Sequence, residues 1–153
     1  MKILCKSLLV FVFSFSVFAY VEAQSFGGNA HVNGGGTTVE FGTKSTFVFN
    51  AIKTEGGIVG HLVYHLRAYN VSFQMNLDCM EIRGNRATLS GTVTSVTGDN
   101  IPYYIFPGSR ASFSVEDNGN GRNRDKISDV VFGAQCNWDL NTYLKVQGNI
   151  SIR

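Results

Sequence analysis

The segment that decides the fold class is residues 70–79, NVSFQMNLDC. Its even positions are polar, and its odd positions are apolar: Val71, Phe73, Met75, Leu77 and Cys79. Alternation with period two over six or more residues predicts a β-strand with one face in the core and the other in water. Strands of this kind belong to antiparallel sheets.

The same alternation recurs along the chain, in residues 45–53, 61–69, 86–96, 110–117 and 143–153. Turn signals rich in Gly and Asn are found at 33–36, 54–57, 83–85, 97–100 and 118–121. No segment keeps a period of 3.6 residues. We therefore predict an all-β fold with almost no helix in the mature chain: a single antiparallel β-sandwich or a closed or partly closed β-barrel of about 8–10 strands.

The N-terminal segment has the three parts of a secretory signal peptide. Lys2 and Lys6 precede an apolar run of about 14 residues, and residues 21–23, VEA, supply a cleavage site with small side chains. The run is shorter than the roughly 20 apolar residues that a membrane-spanning helix needs. We predict a signal peptide at 1–23, a single domain at 24–153, a secreted protein and no membrane span.

The charge balance excludes one class of partner. Without Lys2, Lys6 and Glu22, the 13 basic and 11 acidic residues become 11 and 10, a net charge of +1. Nucleic-acid binding requires a concentrated basic face, which a chain with this charge balance does not suggest, so we expect no nucleic-acid partner. The expected partner is an extracellular protein or glycan, and the sequence leaves the oligomeric state open.

Two cysteines, Cys79 and Cys136, remain in the predicted mature chain. An even number in an exported protein predicts a disulfide. Cys79 continues the apolar phase of its strand, and Cys136 continues a phase that runs through Val130, Phe132 and Ala134. We therefore expect both sulfur atoms to point into the core.

Residues 114–128, SVEDNGNGRNRDKIS, interrupt the alternation with a loop rich in Asp, Asn and Gly. Calcium prefers six to eight oxygen ligands, and five side chains here could offer them: Asp117, Asn118, Asn120, Asn123 and Asp125. The spacing departs from the EF-hand loop, and three cations, Arg122, Arg124 and Lys126, lie within the stretch. The alternative is a solvated hairpin loop built from Asx-turns. No other cofactor is expected.

Several short motifs together resemble a known family of exported domains. They are GGNAHVNGGG near the start, FVFNAI, GHLVYH, ATLSGT, and VEDNGNGRNRD before a late strand. In these the chain is similar, over most of residues 28–133, to the post-COAP-1 domain of secreted bacterial proteins. The resemblance implies an all-β module without an established activity, whose recurring loop would be Asp117, Asn118, Gly119, Gly121 and Asp125. Cys79, Cys136 and the longer tail after residue 133 depart from the family pattern.

Other candidate sites carry little chemistry. His61 and His65 are four residues apart in a predicted strand, which separates them by about 13 Å, so we expect two outward side chains rather than metal ligands. Asn70 and Asn149 match the glycosylation pattern, which matters only in a eukaryote. The sequence has no G-x-S-x-G, H-E-x-x-H, P-loop or C-x-x-C motif, and we expect a protein that is not an enzyme.

Three functions remain open from the sequence. The first is a secreted, non-enzymatic structural or interaction module that binds protein or carbohydrate. The second is a carrier of a small apolar ligand, in a barrel of the lipocalin type. The third is an enzyme on an all-β barrel, which polar side chains converging inside the barrel would favour.

Overall fold

The computed structural model describes residues 29–121 and 123–153, and it confirms the all-β fold class. Residues 1–23, where we predict the signal peptide, lie outside the described residues. Within these described residues, the one helical element is a single 3-10 turn at Arg67–Tyr69. The strands are β1 (His31–Glu40), β2 (Thr43–Thr54), β3 (Gly57–Leu66), β4 (Val71–Arg83), β5 (Arg86–Gly98), β6 (Arg110–Glu116), β7 (Lys126–Ile127), β8 (Val131–Phe132), β9 (Leu144–Lys145) and β10 (Gln147–Ile152).

The strands form one antiparallel sheet that closes almost completely into a barrel. Its order is β10-β1-β2-β3-β4-β5-β6-β7-β9, and β8 pairs with β6 beside β7. Only Val146 separates β9 from β10, so the last segment of the chain pairs with β7 at one end and with β1 at the other. This pairing selects the barrel over the sandwich, which the sequence left open.

The barrel interior is a packed apolar core. The alternating residues of β2, β4 and β6 supply it, including Phe49, Phe73 and Phe113, each no more than 2% exposed. The rings of Phe49 and Phe113 meet edge to face across the barrel, with centroids 5.3 Å apart. Edge-to-face packing adds to the burial of apolar area, which drives the closure of the sheet.

The disulfide is present, but its predicted orientation is wrong. Cys79 and Cys136 are bonded, with Cα atoms 6.0 Å apart. A β-bulge between Leu77 and Cys79 inserts one residue, after which Cys79 lies opposite Ser90 rather than continuing the inward row. A shift of one residue moves every following side chain to the other face. Cys79 therefore faces outward, and the disulfide lies on the outside of the barrel.

The disulfide holds an irregular segment, residues 133–143, against the outer face of β5 and β6. We call this segment the strap. The Ser112 hydroxyl donates to the Ala134 carbonyl (3.0 Å), Arg86 Nη2 donates to the Leu140 carbonyl (2.8 Å), and the Thr142 hydroxyl donates to Glu116 Oε2 (2.6 Å). The strap explains why β5 and β6 are buried on both faces.

Residues 33–36, NGGG, are the middle of β1 and not the turn that the sequence predicted. Gly34 and Gly36 share the inward phase of β1. A Cβ at Gly34 would lie 2.9 Å from side-chain atoms of Ile150 and Phe49, and one at Gly36 would lie 2.7 Å from the Gln147 carbonyl oxygen. The glycines are needed for close packing inside the barrel, where no larger residue fits.

Residues 117–125 complete the barrel closure. Because His31 and Arg153 exchange both backbone hydrogen bonds, the N–H groups of Ile150 and Ile152 point away from β1. They donate instead to carboxylates of the loop: Ile150 to Asp125 Oδ2 (2.7 Å) and Ile152 to Asp117 Oδ2 (3.2 Å). The two carboxylates thus replace the carbonyls of a neighbouring strand.

Candidate functional site

One end of the barrel holds a pocket of about 500 Å³, a volume typical of small-molecule sites. Its lining comes from the end of β1, from β3 and β4, from the loop at 99–109, and from residues 129–132. Most of the wall is aromatic, formed by Phe41, Tyr69, Phe73, Tyr103, Tyr104 and Phe132. The pocket is therefore an apolar cleft at the barrel end, between the strands and one loop.

The loop at 99–109 forms one side of the mouth. Ile105 is 2% exposed and anchors the loop to the core, and its N–H donates to the Pro102 carbonyl (2.9 Å). Tyr104 packs on Phe132, with ring centroids 5.6 Å apart, whereas Tyr103 is 93% exposed. Both rings line the pocket, and Tyr104 is held against Phe132 whereas Tyr103 is largely exposed to solvent.

The floor of the pocket is polar. Glu40 is 6% exposed, and its Oε1 accepts a hydrogen bond from the Tyr64 hydroxyl. Thr38 and Ser45 lie opposite each other on β1 and β2, directly behind Glu40 and buried. The Thr38 hydroxyl has no hydrogen-bond partner among the described residues, whereas the Ser45 hydroxyl lies towards the Glu40 carboxyl and lowers its pKa. Buried polar groups are nearly always paired, so this inward polar group sets the barrel end apart from the apolar core below it.

A second carboxyl reaches the pocket through a β-bulge. Ser128 donates its N–H to the Ser114 carbonyl, and Val131 pairs with Ser112, so two residues, Asp129 and Val130, lie opposite one residue of β6. Bulges next to binding sites re-aim side chains in this way. Asp129 lines the pocket, and its Oδ2 accepts a hydrogen bond from the hydroxyl of Tyr143, the last residue of the strap.

Burial and neighbouring groups raise the pKa values of Glu40, Tyr64 and Tyr143. Burial raises the pKa of Glu40; the hydroxyl of Tyr64 opposes the rise and the negative charge of Asp129 adds to it. The hydrogen bond to Asp129 raises the pKa of Tyr143 to about 12. Burial and the Glu40 carboxyl raise the pKa of Tyr64 as well. Both phenols therefore keep their protons at neutral pH and act as donors.

A pH dependence of stability follows from Glu40. Its raised pKa means that its stabilising contribution is complete below about pH 4.5, the value for an unfolded glutamate, and is lost as the pH rises through the native value. Glu40→Gln keeps an acceptor oxygen for Tyr64 and cannot ionise. We expect its free energy of unfolding, relative to the wild type, to improve between pH 4 and pH 8. Urea titrations at several pH values measure this.

The control for that comparison is Glu55→Gln, since Glu55 is exposed. Its stability relative to the wild type should not change over the same pH range. A constant difference between Glu40→Gln and the wild type from pH 4 to pH 8 would show that Glu40 titrates as it does in the unfolded chain.

The predicted calcium loop uses its oxygen atoms for other bonds. Asp125 Oδ1 accepts the Asn118 N–H (2.9 Å) and Asp117 Oδ1 accepts the Gly119 N–H (2.9 Å), in addition to their bonds to β10. Asn120 and Asn123 are exposed. In the described part of the chain, no three His, Cys, Asp or Glu side chains are grouped to hold a metal ion. Calcium binding stays a prediction, and an ion here would compete with backbone donors.

The remaining predicted residues lie outside the pocket. Asn70 and Asn149 are both exposed, and Asn70 adopts a left-handed conformation (φ 52°) at the end of the 3-10 turn. His61 and His65 lie on the outer face of β3, as predicted, and the His65 imidazole contacts the Ser72 hydroxyl. Glu40, Tyr64 and Asp129 were not among the predicted site residues.

Two further observations bear on the class of protein. Among residues 29–121 and 123–153, no helix is long and apolar enough to cross a membrane. The Cys79–Cys136 disulfide is typical of proteins that fold outside the cytoplasm. No family model, curated protein or solved structure matches the chain. The function must therefore be argued from the pocket itself.

Proposed function

We propose that the protein is a secreted, non-enzymatic binding protein that takes a small, largely apolar molecule into the pocket at the barrel end. The observation that carries this proposal is an aromatic cavity of about 500 Å³ with a few polar groups at its floor. Ligand sites are usually built in this way, with apolar walls for affinity and a few polar groups for orientation. Of the three functions considered from the sequence, the pocket favours the carrier over the structural module.

The pocket is open to a ligand without unfolding the barrel. Its mouth is formed by exposed rings, with Phe41 74% and Tyr104 45% exposed, while the core beneath it is closed by Phe73 and Tyr64. A bound molecule would cover the exposed rings and remove apolar area from water, at about 25 cal/mol per Å². That gain in free energy on binding would offset the cost of keeping these rings exposed to water in the free protein.

A neutral fluorescent hydrophobe, N-phenyl-1-naphthylamine, tests the proposal on the full-length gene product expressed in an exporting host. We expect a saturable rise in its fluorescence. Tyr104→Ala removes one wall of the pocket and should weaken binding about tenfold, the equivalent of one lost aromatic contact.

Phe106→Ala is the matched control for Tyr104→Ala. Phe106 is 53% exposed and belongs to the same loop, but it does not line the pocket. Its affinity for the probe should stay within about twofold of the wild type, since it removes no pocket contact. Equal losses in the two variants, or no saturable binding by the wild type, would contradict the proposal.

A specific feature of the outer surface favours a second candidate, a glycan-binding face. One polar residue from each of β1–β5 lies in register across the sheet: Asn33, Asn50, His61, Asn76 and Thr92. Such a row of amide, imidazole and hydroxyl groups suits contacts to sugar hydroxyls. Binding of the protein to a glycan array, lost in Asn50→Ala/Asn76→Ala, would support this face as the site.

A further inference from the structure

The pocket combines an aromatic wall with two carboxyl groups, and from this combination we propose that its ligand is an organic cation, such as an alkylated or aromatic amine. The inference rests on the proposed binding function and adds the chemical class of the ligand. Glu40 and Asp129 would supply the counter-charge, and the rings of the wall would surround the apolar part of the ligand.

The charge of the lining is one-sided. Two carboxyl side chains line the pocket, and none of its lining residues is Lys, Arg or His. The ion pairs of the described residues all lie elsewhere, at Glu81, Asp139, Asp78 and Glu116. Glu40 is buried and Asp129 is half-buried, and a ligand that brings a positive charge would stabilise both carboxylates, since a buried charge is costly unless it is paired.

The carboxyl groups are held in place before any ligand arrives. The Tyr64 hydroxyl donates to Glu40 Oε1, and the Tyr143 hydroxyl donates to Asp129 Oδ2. Each phenol bonds one oxygen of its carboxyl, and each carboxyl has a second oxygen. The phenols thus fix the orientation of both groups and leave accepting capacity towards a ligand.

The aromatic wall suits the same ligand. Phe41 and Tyr69 meet edge to face with centroids 5.8 Å apart, and Tyr103 and Tyr104 do so at 5.4 Å. All four rings line the pocket. The faces attract a cation through their quadrupoles, an effect that is strongest where water is excluded. Carboxylates beside such faces are a common way to select an ammonium group over a neutral one of the same shape.

The test uses two ligands of the same shape, benzyltrimethylammonium and neopentylbenzene. The first has a positively charged nitrogen at the position where the second has a neutral carbon. In an uncharged apolar cleft the neutral compound binds tighter, because the cation must lose its hydration. We expect the reverse here: the cation should bind about tenfold tighter, as measured by ligand-observed NMR titration of the full-length product at pH 7.5.

Isosteric variants assign the preference to the pocket. Asp129→Asn should weaken benzyltrimethylammonium about tenfold and leave neopentylbenzene within about twofold, because only the charge is removed. Asp139→Asn removes the same charge from the strap, outside the pocket, and should change neither affinity by more than about twofold. Circular dichroism of each variant checks that the fold is kept.

The outcomes separate the two proposals. If both compounds bind saturably and the neutral one binds as tightly as the cation or tighter, the cation inference is wrong while the binding function stands. If Asp129→Asn and Asp139→Asn weaken the cation equally, the attraction comes from the general charge of the protein and the inference is overturned. If neither these compounds nor N-phenyl-1-naphthylamine binds, both proposals fail.

Discussion

Replacing Asp125 with alanine should lower the free energy of unfolding by about 3–5 kcal/mol, since the carboxylate accepts two backbone hydrogen bonds in a buried position. Asp125 is 2% exposed, and it accepts the N–H groups of Asn118 (2.9 Å) and Ile150 (2.7 Å). Without it, the buried N–H of Ile150 and the half-buried N–H of Asn118 lose their partner, and β10 loses one of its bonds to the loop. Urea unfolding at pH 7 measures the loss.

Two further variants test whether the loss of stability in Asp125→Ala comes from the barrel closure. Asp125→Asn keeps one acceptor oxygen but turns an amide N–H₂ towards a backbone donor, so it should recover only part of the lost stability. Asp139→Ala removes an exposed carboxylate from an ion pair with Arg86 (3.0 Å) and should cost less than about 1 kcal/mol. Equal losses for Asp125→Ala and Asp139→Ala would contradict the role of Asp125 in closing the barrel.

Removing the disulfide, by Cys79→Ala/Cys136→Ala, should lower the free energy of unfolding by about 3–4 kcal/mol. The bridge joins residues 57 positions apart, and a loop of that size restricts the unfolded chain strongly. Its loss should also release the strap, because the remaining bonds of the strap to β5 and β6 are a few hydrogen bonds. Urea unfolding of the oxidised wild type and the variant measures the difference.

Hydrogen exchange shows where the disulfide acts. Protection of strap amides such as Gly133, which donates to the Arg110 carbonyl (2.8 Å), should fall in the variant more than protection of β2 and β3. The wild type treated with a reducing agent should behave like the variant. A loss of stability below 1 kcal/mol, or an equal fall in protection across β2 and β3, would show that the strap does not depend on the bridge.

The sequence predicted the β class and most strands because their alternation reports a physical fact: each strand has one wet face. Phe47, Phe49 and Ala51 on β2, and Val71, Phe73 and Met75 on β4, are buried as predicted. The turn at 54–57 is also where the sequence placed it. The closure into a barrel could not be predicted, since it depends on the pairing of residues more than 100 positions apart.

The two errors have different causes, a loss of phase at a bulge and close packing between strands. The bulge before Cys79 turns its side chain outward, and an alternation count that runs through the bulge places it inward. Gly34, Gly35 and Gly36 were interpreted as a turn because glycine is common in turns; in β1, Gly34 and Gly36 are required by the close approach of β10 and Phe49. Neither effect is visible from one segment alone.

The candidate site was only partly visible in the sequence. Glu40 shares the inward phase of Val32, and a carboxylate in such a phase is a signal that the alternation could have supplied. Asp129 could not have been found, because it reaches the pocket through a bulge in an irregular segment. The charged loop at 117–125 drew attention as a metal site, whereas its carboxylates bond the backbone of β10.

The claim that the barrel end is a ligand site is tested most directly by NMR, with chemical-shift changes of the backbone amides followed during titration with N-phenyl-1-naphthylamine. We expect saturable changes at Leu66, Ile105 and Val131, which line the pocket, and none at Val48 and Val63, which are exposed on the outer face of β2 and β3. Changes centred on the outer face, or no saturable changes, would contradict the claim.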